Sequence, residues 1–229
     1  MSSSVEEYSP SQITEKGPEA LAEWEARNSG KLLQCLAPGG MTKPQRSALE
    51  DLNPIVLIEG GNRSGKTRTA AADVASYALN IHPMRRWTTP PQIWLCSVSF
   101  ELFSQGAWPH LINFLFLKGE SIYDLPSRYV ERVDWLRGTI PKSITLRNGA
   151  EITIKSYEQG PSAFQAAQLD LAVIDEECDT SIWQELRARF MAAKSPHIII
   201  AATPIKGVDW LAQLRIMAEK HQAGVVHYR

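Results

Sequence analysis

Residues 60–67 read Gly60-Gly61-Asn62-Arg63-Ser64-Gly65-Lys66-Thr67, and this stretch decides how the rest of the chain is interpreted. A glycine, four variable residues, a second glycine, a lysine and a hydroxyl residue form the pattern of a loop that binds phosphate groups. Glycine lets the backbone turn so that its N–H groups face the phosphate oxygens. Lys66 is then placed to reach the β- and γ-phosphates, and the Thr67 hydroxyl to bind Mg²⁺. We predict that all eight residues line a nucleotide site.

The segments on either side of the loop predict a strand before it and a helix after it. Residues 55–58 are apolar and mostly β-branched, which is typical of a buried strand. Residues 67–79 are rich in alanine and contain neither proline nor glycine, which favours a helix. The positive end of the helix dipole would then lie at the phosphate site. A glycine turn that matches the pattern by chance is the alternative, and this context argues against it.

The composition limits what kind of protein this chain can be. Its 229 residues are 44% hydrophobic and 21% charged, which suits a globular protein of one large domain or two small ones. The net charge of −1 gives no overall basic field, so a surface that binds nucleic acid has to be a local patch. No apolar run approaches the about 18 residues that span a membrane, and residues 2–7 are unlike a secretion signal. Cys35, Cys96 and Cys178 have no paired spacing, which indicates reduced thiols in a cytosol.

The first part of the chain is expected to form an N-terminal arm and a helical extension over residues 1–41, before a single domain over residues 42–229. Residues 18–27 favour a helix, and Thr42 is placed to cap a short helix that has Pro44 in its first turn. In helicase-like ATPases, a glutamine at the position of Gln45 reads the adenine edge, because its amide both donates and accepts hydrogen bonds. The alternative for Gln45 is a surface glutamine on a capped helix.

The middle of the chain predicts a strand, two helical stretches and a hairpin. Residues 93–98 indicate a second buried strand, followed from residue 100 by a helical stretch that Pro109 interrupts. Residues 126–136 are predicted to be helical, with Arg128, Arg132 and Arg137 in or beside them, and a solvated helix face is the plain interpretation of these arginines. Residues 144–154 form two alternating runs around Asn148-Gly149, which predicts a hairpin with a type I′ turn.

Three acids end the next apolar run, residues 171–174, and complete the predicted site. Carboxylates at the carboxyl end of a parallel strand lie in the crevice where open α/β sheets bind ligands. Asp175 is then placed to hold Mg²⁺, and Glu176 to deprotonate the attacking water. The alternative is a strand followed by the acidic start of a helix that Asp179 caps. The role of Glu177 is left open.

Residues 197–202 predict a further buried strand, with Thr203 at its end, level with Asp175. A hydroxyl there could respond to the γ-phosphate, and the alternative is an ordinary Thr-Pro strand exit. Residues 211–220 favour a helix, and residues 225–226 the start of a last strand. The expected fold is a three-layer αβα P-loop NTPase of the RecA-like kind, with a mainly parallel central sheet plus a β-hairpin.

Taken together, these motifs resemble the ATPase half of the large terminase subunit of tailed bacteriophages, the motor that packages DNA. The loop and the acids alone specify only a P-loop ATPase, whereas the order of the motifs narrows the choice to terminases or helicase-like motors. The resemblance spans residues 42–210 and rests on Gln45, residues 60–67, Ser97 and Ser99, the hairpin, residues 164–170, the acids at 175–177 and residues 201–207. A helicase-like nucleic-acid translocase and a non-hydrolysing ATP-binding switch remain as alternatives.

The resemblance implies ATP hydrolysis with Mg²⁺ that drives double-stranded DNA into a viral prohead. It implies the portal protein, the small terminase subunit and further copies in a ring as partners, in the host cytoplasm and without a membrane. Thr203 would report hydrolysis, since Ala201 stands where the family usually has a hydroxyl residue. Arg63 is the candidate for an arginine finger within the chain. The candidates for a finger from a neighbouring subunit are Arg128, Arg132, Arg137, Arg187 and Arg189.

Members of the family also carry a C-terminal nuclease domain with a cluster of metal-binding acids. Between Thr203 and Glu219 this sequence has a single acid, Asp209. The chain is therefore expected to be an isolated ATPase domain without nuclease activity.

Overall fold

The computed structural model describes residues 31–61, 63–165, 169–191, 197–203, 207–222 and 224–228. Eight of its segments are strands of one sheet: β1 (Ile55–Glu59), β2 (Gln92–Ser97), β3 (Val130–Arg137), β4 (Ile140–Leu146), β5 (Glu151–Ser156), β6 (Leu171–Asp175), β7 (His197–Ala202) and β8 (Val225–Tyr228). Their order across the sheet is β3-β4-β5-β2-β6-β7-β1-β8. The expected arm over residues 1–18 and the helix over residues 18–27 lie outside the described residues.

Six neighbouring strands, from β5 to β8 in that order, are parallel, and β4 and β3 continue the sheet in antiparallel fashion. Strand β1 is the last but one in this order and pairs with β7 and with the edge strand β8, so that Ile55 lies between Ile198 and Val225. Strands buried on both faces are continuously apolar, as β1, β6 and β7 are. The mainly parallel sheet that the sequence predicts is confirmed.

The helices cover both faces of this sheet. They are α1 (Lys31–Leu36), α2 (Lys43–Glu50), α3 (Lys66–Ala78), α4 (Phe100–Gln105), α5 (Ala107–Leu115), α6 (Thr180–Met191) and α7 (Asp209–Glu219). One core contains Val56 and Ile58 of β1 and residues of α1 to α5, whereas the other contains Leu57 and residues of α6 and α7. Because successive side chains of a strand point to opposite faces, this alternation establishes three layers. No helix in the described parts of the chain is long and apolar enough to span a bilayer.

The break between α4 and α5 falls at Gly106 and not at Pro109, where the sequence predicts it. Ser99 begins α4, and its Oγ accepts the Leu102 N–H at 3.1 Å. Pro109 lies in the first turn of α5, where a proline has no hydrogen bond to remove. The residue that ends one helix and begins the next is therefore the glycine.

The predicted helix over residues 126–136 is wrong, because this segment contains the edge strand β3. Val130 and Val133 have the spacing of a helix face, and a bulge in β3 explains it. Between Val130 and Arg132 the register shifts by one residue, which turns both valines towards the core. The sequence of β3 therefore does not alternate between apolar and polar residues, although the strand pairs with β4 from Val130 to Arg137.

The hairpin of β4 and β5 is confirmed, but its turn differs from the predicted type. Gly149 has a φ of 89°, and Asn148 is not among the residues with positive φ, as a type I′ turn at Asn148-Gly149 would require. The Gly149 N–H bonds to the Leu146 carbonyl at 2.9 Å, so residues 146–149 form a turn that ends in a left-handed glycine. The Asn148 amide is used instead to donate to the Ala78 carbonyl at the end of α3, at 2.8 Å.

Candidate active site

The phosphate loop joins the end of β1 to the start of α3, as predicted. Arg63 and Gly65 have φ angles of 65° and 87°, which give the loop its left-handed turns. Lys66 is the first residue of α3, so the loop lies at the N-terminus of that helix. Asn62 lies outside the described residues. A Cβ at Gly65 would come within 2.3 Å of the Gln45 side-chain nitrogen, so only glycine fits this position with Gln45 as it stands.

Lys66 connects the loop to the neighbouring strand. Its ammonium group donates to the carbonyls of Gly60 and Gly61 at 2.9 and 3.1 Å, and to the Thr203 hydroxyl at 3.2 Å. The lysine is only 7% exposed, so its charge is directed into the site. The structure thus brings together two of the predicted residues that lie far apart in the sequence, Lys66 and Thr203.

Thr67 and Asp175 meet in the same crevice. The Thr67 hydroxyl donates to the Asp175 carboxylate at 3.2 Å. Burial and the neighbouring Glu176 raise the pKa of Asp175 to about 6, against the opposing effects of Thr67 and Lys66. A hydroxyl and a carboxylate are the hard oxygen ligands that Mg²⁺ takes alongside substrate phosphates, so this pair fits a magnesium ion. In the described parts of the chain, no group of three or more histidines, cysteines or acids is arranged to hold a metal.

Glu176 lies beyond the end of β6 in an unusual backbone conformation. Its φ is 65°, and its N–H donates to the Ala201 carbonyl at 2.9 Å. Its carboxylate accepts the Thr203 N–H at 2.8 Å and the Thr203 hydroxyl at 3.0 Å. Since that hydroxyl also accepts from Lys66, one chain of hydrogen bonds runs from the phosphate loop to Glu176. Position and orientation therefore suit the predicted roles of both residues.

Glu177, whose role the sequence leaves open, is buried beside the backbone that follows β7. Glu177 is 3% exposed, and one of its carboxylate oxygens accepts the Gly207 N–H at 3.3 Å. Glu176 and Glu177 thus bind the two ends of the segment that leaves β7, at Thr203 and Gly207. Glu177 therefore holds a neighbouring part of the backbone at Gly207.

Gln45 sits directly beside the phosphate loop. Its side-chain oxygen accepts the Thr42 N–H at 3.0 Å, and its nitrogen donates to the Ser64 carbonyl at 3.2 Å. A glutamine amide has a second N–H and a second lone pair, so each of its two polar atoms retains one hydrogen-bonding position. That remaining pair is the donor and acceptor that an adenine edge needs.

The candidate arginines occupy different parts of the molecule. Arg63 is exposed on the phosphate loop itself. Arg132 and Arg137 lie on β3, four strands from β6, and pair with Asp134 at 3.2 Å and with Glu101, respectively. Arg128 precedes β3. Arg187 and Arg189 lie in the last turns of α6, where Arg189 pairs with Glu185 at 3.6 Å.

The Arg85 side chain is largely buried, although its neighbour Arg86 is exposed. Its guanidinium lies 3.7 Å from the Asp73 carboxylate and donates to the Asp51 carbonyl. His82 and His197 approach the same carboxylate at 3.6 and 3.7 Å. Burial alone would raise the pKa of Asp73, but His197 and His82 hold it well below its usual range. Arg86 remains exposed.

Three residues that the sequence analysis missed form an ion-pair cluster at the end of β1, directly before the phosphate loop. Glu59, the last residue of β1, is 6% exposed and accepts the Arg215 Nε–H with both carboxylate oxygens, at 2.9 and 3.0 Å. His227 of β8 lies 2.7 Å from the same carboxylate. The hydrogen bonds that Arg215 donates to Glu59 raise the pKa of the Arg215 guanidinium. A carboxylate at the end of an otherwise apolar strand was the available signal.

The loop, the strand-end acids and the strand order define a P-loop NTPase fold. A family model described as "Terminase large subunit, T4likevirus-type, N-terminal" matches residues 57–222, more than half of the chain. The chain therefore belongs to the T4-like family of terminase large subunits, and the matched residues correspond to the family's N-terminal part. A search of curated proteins found no match.

Solved structures with the same fold are also phage terminases. The large terminase of the thermophilic bacteriophage D6E is 14% identical over 83% of this chain and 45% of its own, with a TM-score of 0.60. Its structure in complex with ADP aligns over 82% and 44%, at 14% identity and a TM-score of 0.56. The large terminase ATPase domain of Thermus phage P74-26 aligns over 78% and 70%, at 15% identity and a TM-score of 0.51. The chain spans less than half the length of the D6E terminase.

Proposed function

We propose that this chain hydrolyses ATP with Mg²⁺ and couples the reaction to the movement of double-stranded DNA into a viral prohead. The observation that carries the proposal is the contact between the two halves of the site. Lys66 and Thr67, at the start of α3, meet Thr203 and Asp175 at the ends of β7 and β6. Phosphate-binding and acidic groups converge in this way where a nucleoside triphosphate is cleaved.

The proposed reaction is the attack of water on the γ-phosphate, which gives ADP and phosphate. Glu176 accepts the proton of the water, because its carboxylate contacts Thr203, which in turn contacts Lys66, and each carboxylate oxygen keeps a free lone pair. Lys66 and the loop N–H groups stabilise the charge that develops on the phosphate oxygens. Thr67 and Asp175 would hold Mg²⁺, which neutralises charge on the β- and γ-phosphates. Gln45 contributes its remaining donor and acceptor to the adenine.

The partners belong to the proposal as well. Double-stranded DNA would be bound through its phosphates, since a motor has to grip every sequence equally. The portal protein, the small terminase subunit and a ring of copies would complete the packaging machine, in the host cytoplasm. Similar solved structures support this proposal: they are large terminases, and one was solved with ADP.

Phosphate release by the purified chain with ATP and Mg²⁺ tests the proposal. We expect Lys66→Ala to lose nucleotide affinity and turnover. Glu176→Gln should still bind ATP but not cleave it, because an amide cannot take the proton from water. Hydrolysis by Glu176→Gln at the wild-type rate would move the base elsewhere, with Glu177 as the first suspect.

Two further results would favour the alternatives. If the wild-type chain bound ATP without releasing phosphate at any protein concentration, it would be a nucleotide-dependent switch. If it separated the strands of a duplex, it would be a helicase-like translocase. A packaging motor should move along a duplex and leave the strands paired.

A further inference from the structure

The hydroxyl of Tyr157 lies among three backbone carbonyls at the edge of the sheet that carries the site. It is 3.1 Å from the carbonyl oxygen of Asp175, 3.3 Å from that of Glu176 and 3.2 Å from that of Cys96. Asp175 ends β6, Glu176 follows it directly, and Cys96 belongs to the adjacent strand β2. The single hydroxyl proton of Tyr157 is therefore shared among the carbonyls of both acids and that of the neighbouring strand.

Tyr157 is itself held in place. It follows β5 directly, in a short 3₁₀ turn over Tyr157–Gln159. The hydroxyl of Ser156 accepts the Glu158 N–H at 3.2 Å and donates to the Val98 carbonyl at 3.2 Å. The ring lies 6.4 Å from that of Phe164, centroid to centroid.

The contact matters because Glu176 adopts a conformation that a residue with a Cβ avoids. A φ of 65° persists at such a residue only where its surroundings fix it. On the amide side, the Glu176 N–H is bound by the Ala201 carbonyl at 2.9 Å. On the carbonyl side, the Tyr157 hydroxyl lies 3.3 Å from the Glu176 oxygen. Together these contacts set the direction in which the Glu176 side chain leaves the backbone, towards Thr203.

We propose that Tyr157 is a positioning residue for the two acids: its hydroxyl fixes the peptides of Asp175 and Glu176, and so the places of the Mg²⁺ ligand and the general base. This inference rests on the proposed function of the site. It does not follow from the motifs that carry the family resemblance, because a tyrosine after a hairpin has no chemical signature. Removal of a group that orients a metal ligand typically lowers metal affinity or activity by about 10- to 100-fold.

The test compares Tyr157→Phe with Tyr228→Phe as a matched control. Tyr228 donates to the Asp51 carboxylate at 2.7 Å, so each substitution removes one tyrosine hydroxyl and its hydrogen bond. We expect Tyr157→Phe to bind fluorescent ADP with wild-type stoichiometry and affinity. Its affinity for Mn²⁺ in the presence of ADP, measured by electron paramagnetic resonance, should fall about 10-fold, and kcat should fall at least as much with KM for ATP unchanged. Tyr228→Phe should match the wild type in all of these.

The outcomes separate the two proposals. If Tyr157→Phe had wild-type Mn²⁺ affinity and wild-type kcat, the positioning role would be overturned while the ATPase stood. If kcat fell only in proportion to a loss of ADP-binding sites, the hydroxyl would merely support folding, which also overturns the role. If the wild-type chain did not hydrolyse ATP, the proposed function would fail, and the Mn²⁺ comparison would still decide whether Tyr157 positions the acids.

Discussion

Glu176 accepts two hydrogen bonds from Thr203, one from its backbone N–H at 2.8 Å and one from its hydroxyl at 3.0 Å. The carboxylate is thus oriented by a residue on the neighbouring strand, which itself contacts Lys66. Movement of phosphate near Lys66 would therefore be felt at Glu176 through a single side chain. This arrangement supports the proposal that Thr203 responds to the γ-phosphate.

The Thr203 hydroxyl should contribute to turnover more than to binding. Thr203→Val keeps the shape of the side chain but removes the hydrogen bond to a charged group, and we expect kcat to fall about 10-fold or more. Thr203→Ser restores the hydroxyl and should stay close to the wild type. Steady-state phosphate release over a range of ATP concentrations measures both. Equal rates for the valine and serine variants would contradict the role.

The dependence of turnover on protein concentration should show whether an arginine finger acts within one chain or between chains. Three of the candidate arginines lie in or beside β3, and Arg137 is the last residue of that strand. Strand β3 runs in the same direction as β6, so Arg137 and Asp175 lie at the same end of the strands, the carboxyl end. A finger is worth about 10³ to 10⁵ in turnover. If Arg137 acts on a neighbouring chain, turnover per chain rises with protein concentration, and mixing Arg137→Ala with Lys66→Ala chains restores activity. Arg63 acting within its own chain would give neither effect.

Asp175 should destabilise the folded chain at neutral pH in the absence of metal. Its pKa is raised from 3.8 to about 6, so between these values the folded chain binds more protons than the unfolded chain. Stability therefore falls as pH rises through this window, and the ionised carboxylate costs up to about 3 kcal/mol above it. Asp175→Asn cannot ionise, and we expect it to melt about 5 to 10 °C higher at pH 8 in EDTA.

The pH dependence of that difference is the decisive part of the measurement. The gap in melting temperature between Asp175→Asn and the wild type should shrink as pH falls below 6 and close near pH 4. Asp124→Asn, the control, removes an exposed carboxylate and should have the melting temperature of the wild type at both high and low pH. A wild type more stable than Asp175→Asn at pH 8 would contradict the raised pKa.

The ion pair between Glu59 and Arg215 should hold the loop as well as the fold. Arg215→Met leaves a carboxylate that is 6% exposed without its guanidinium, and we expect a loss of about 2 to 4 kcal/mol in unfolding free energy. KM for ATP should rise, because Gly60 follows Glu59 directly. Arg189→Met breaks a surface pair and should cost less than about 1 kcal/mol. Chemical denaturation and initial rates measure the two effects.

DNA binding by the chain alone should be weak, independent of sequence and sensitive to salt. Arg86, Lys142 and Arg147 are exposed, and a few such phosphate contacts give a slope of log K against log salt of roughly −2 to −4. A ring of copies on one duplex would multiply the contacts. Filter binding across a salt series measures the slope, and plasmid incubated with Mg²⁺ or Mn²⁺ should stay uncut. Strong preference for one sequence, or metal-dependent nicking by pure protein, would contradict the motor proposal.

The parts of the fold that could be predicted from the sequence are those that local chemistry determines. The strand before Gly60, the helix from Lys66 and the apolar strand into Asp175 each have a local pattern, and the parallel sheet follows from their alternation. The helix predicted over residues 126–136 failed because the bulge at Val130 conceals the strand period. No pattern in a single segment reveals a bulge, since it depends on the partner strand.

The missed site residues share a different cause. Tyr157 reaches Cys96 across 61 positions of the sequence, and Arg215 reaches Glu59 across 156. Such contacts depend on the order of strands in the sheet, which the sequence does not show directly. Arg85 illustrates the converse: an arginine pair looks like a surface patch until the fold places Asp73 beside it.

Strand β1 leads directly into the phosphate loop, and it is synthesised early in the chain. Its two neighbours, β7 and β8, begin only at His197 and Val225. During synthesis the apolar segment of β1 therefore has neither of its partner strands, and unpaired strand edges readily pair with other molecules. We expect a chain cut before β8 to accumulate as aggregates, so an expression boundary that preserves the soluble yield should lie beyond Tyr228.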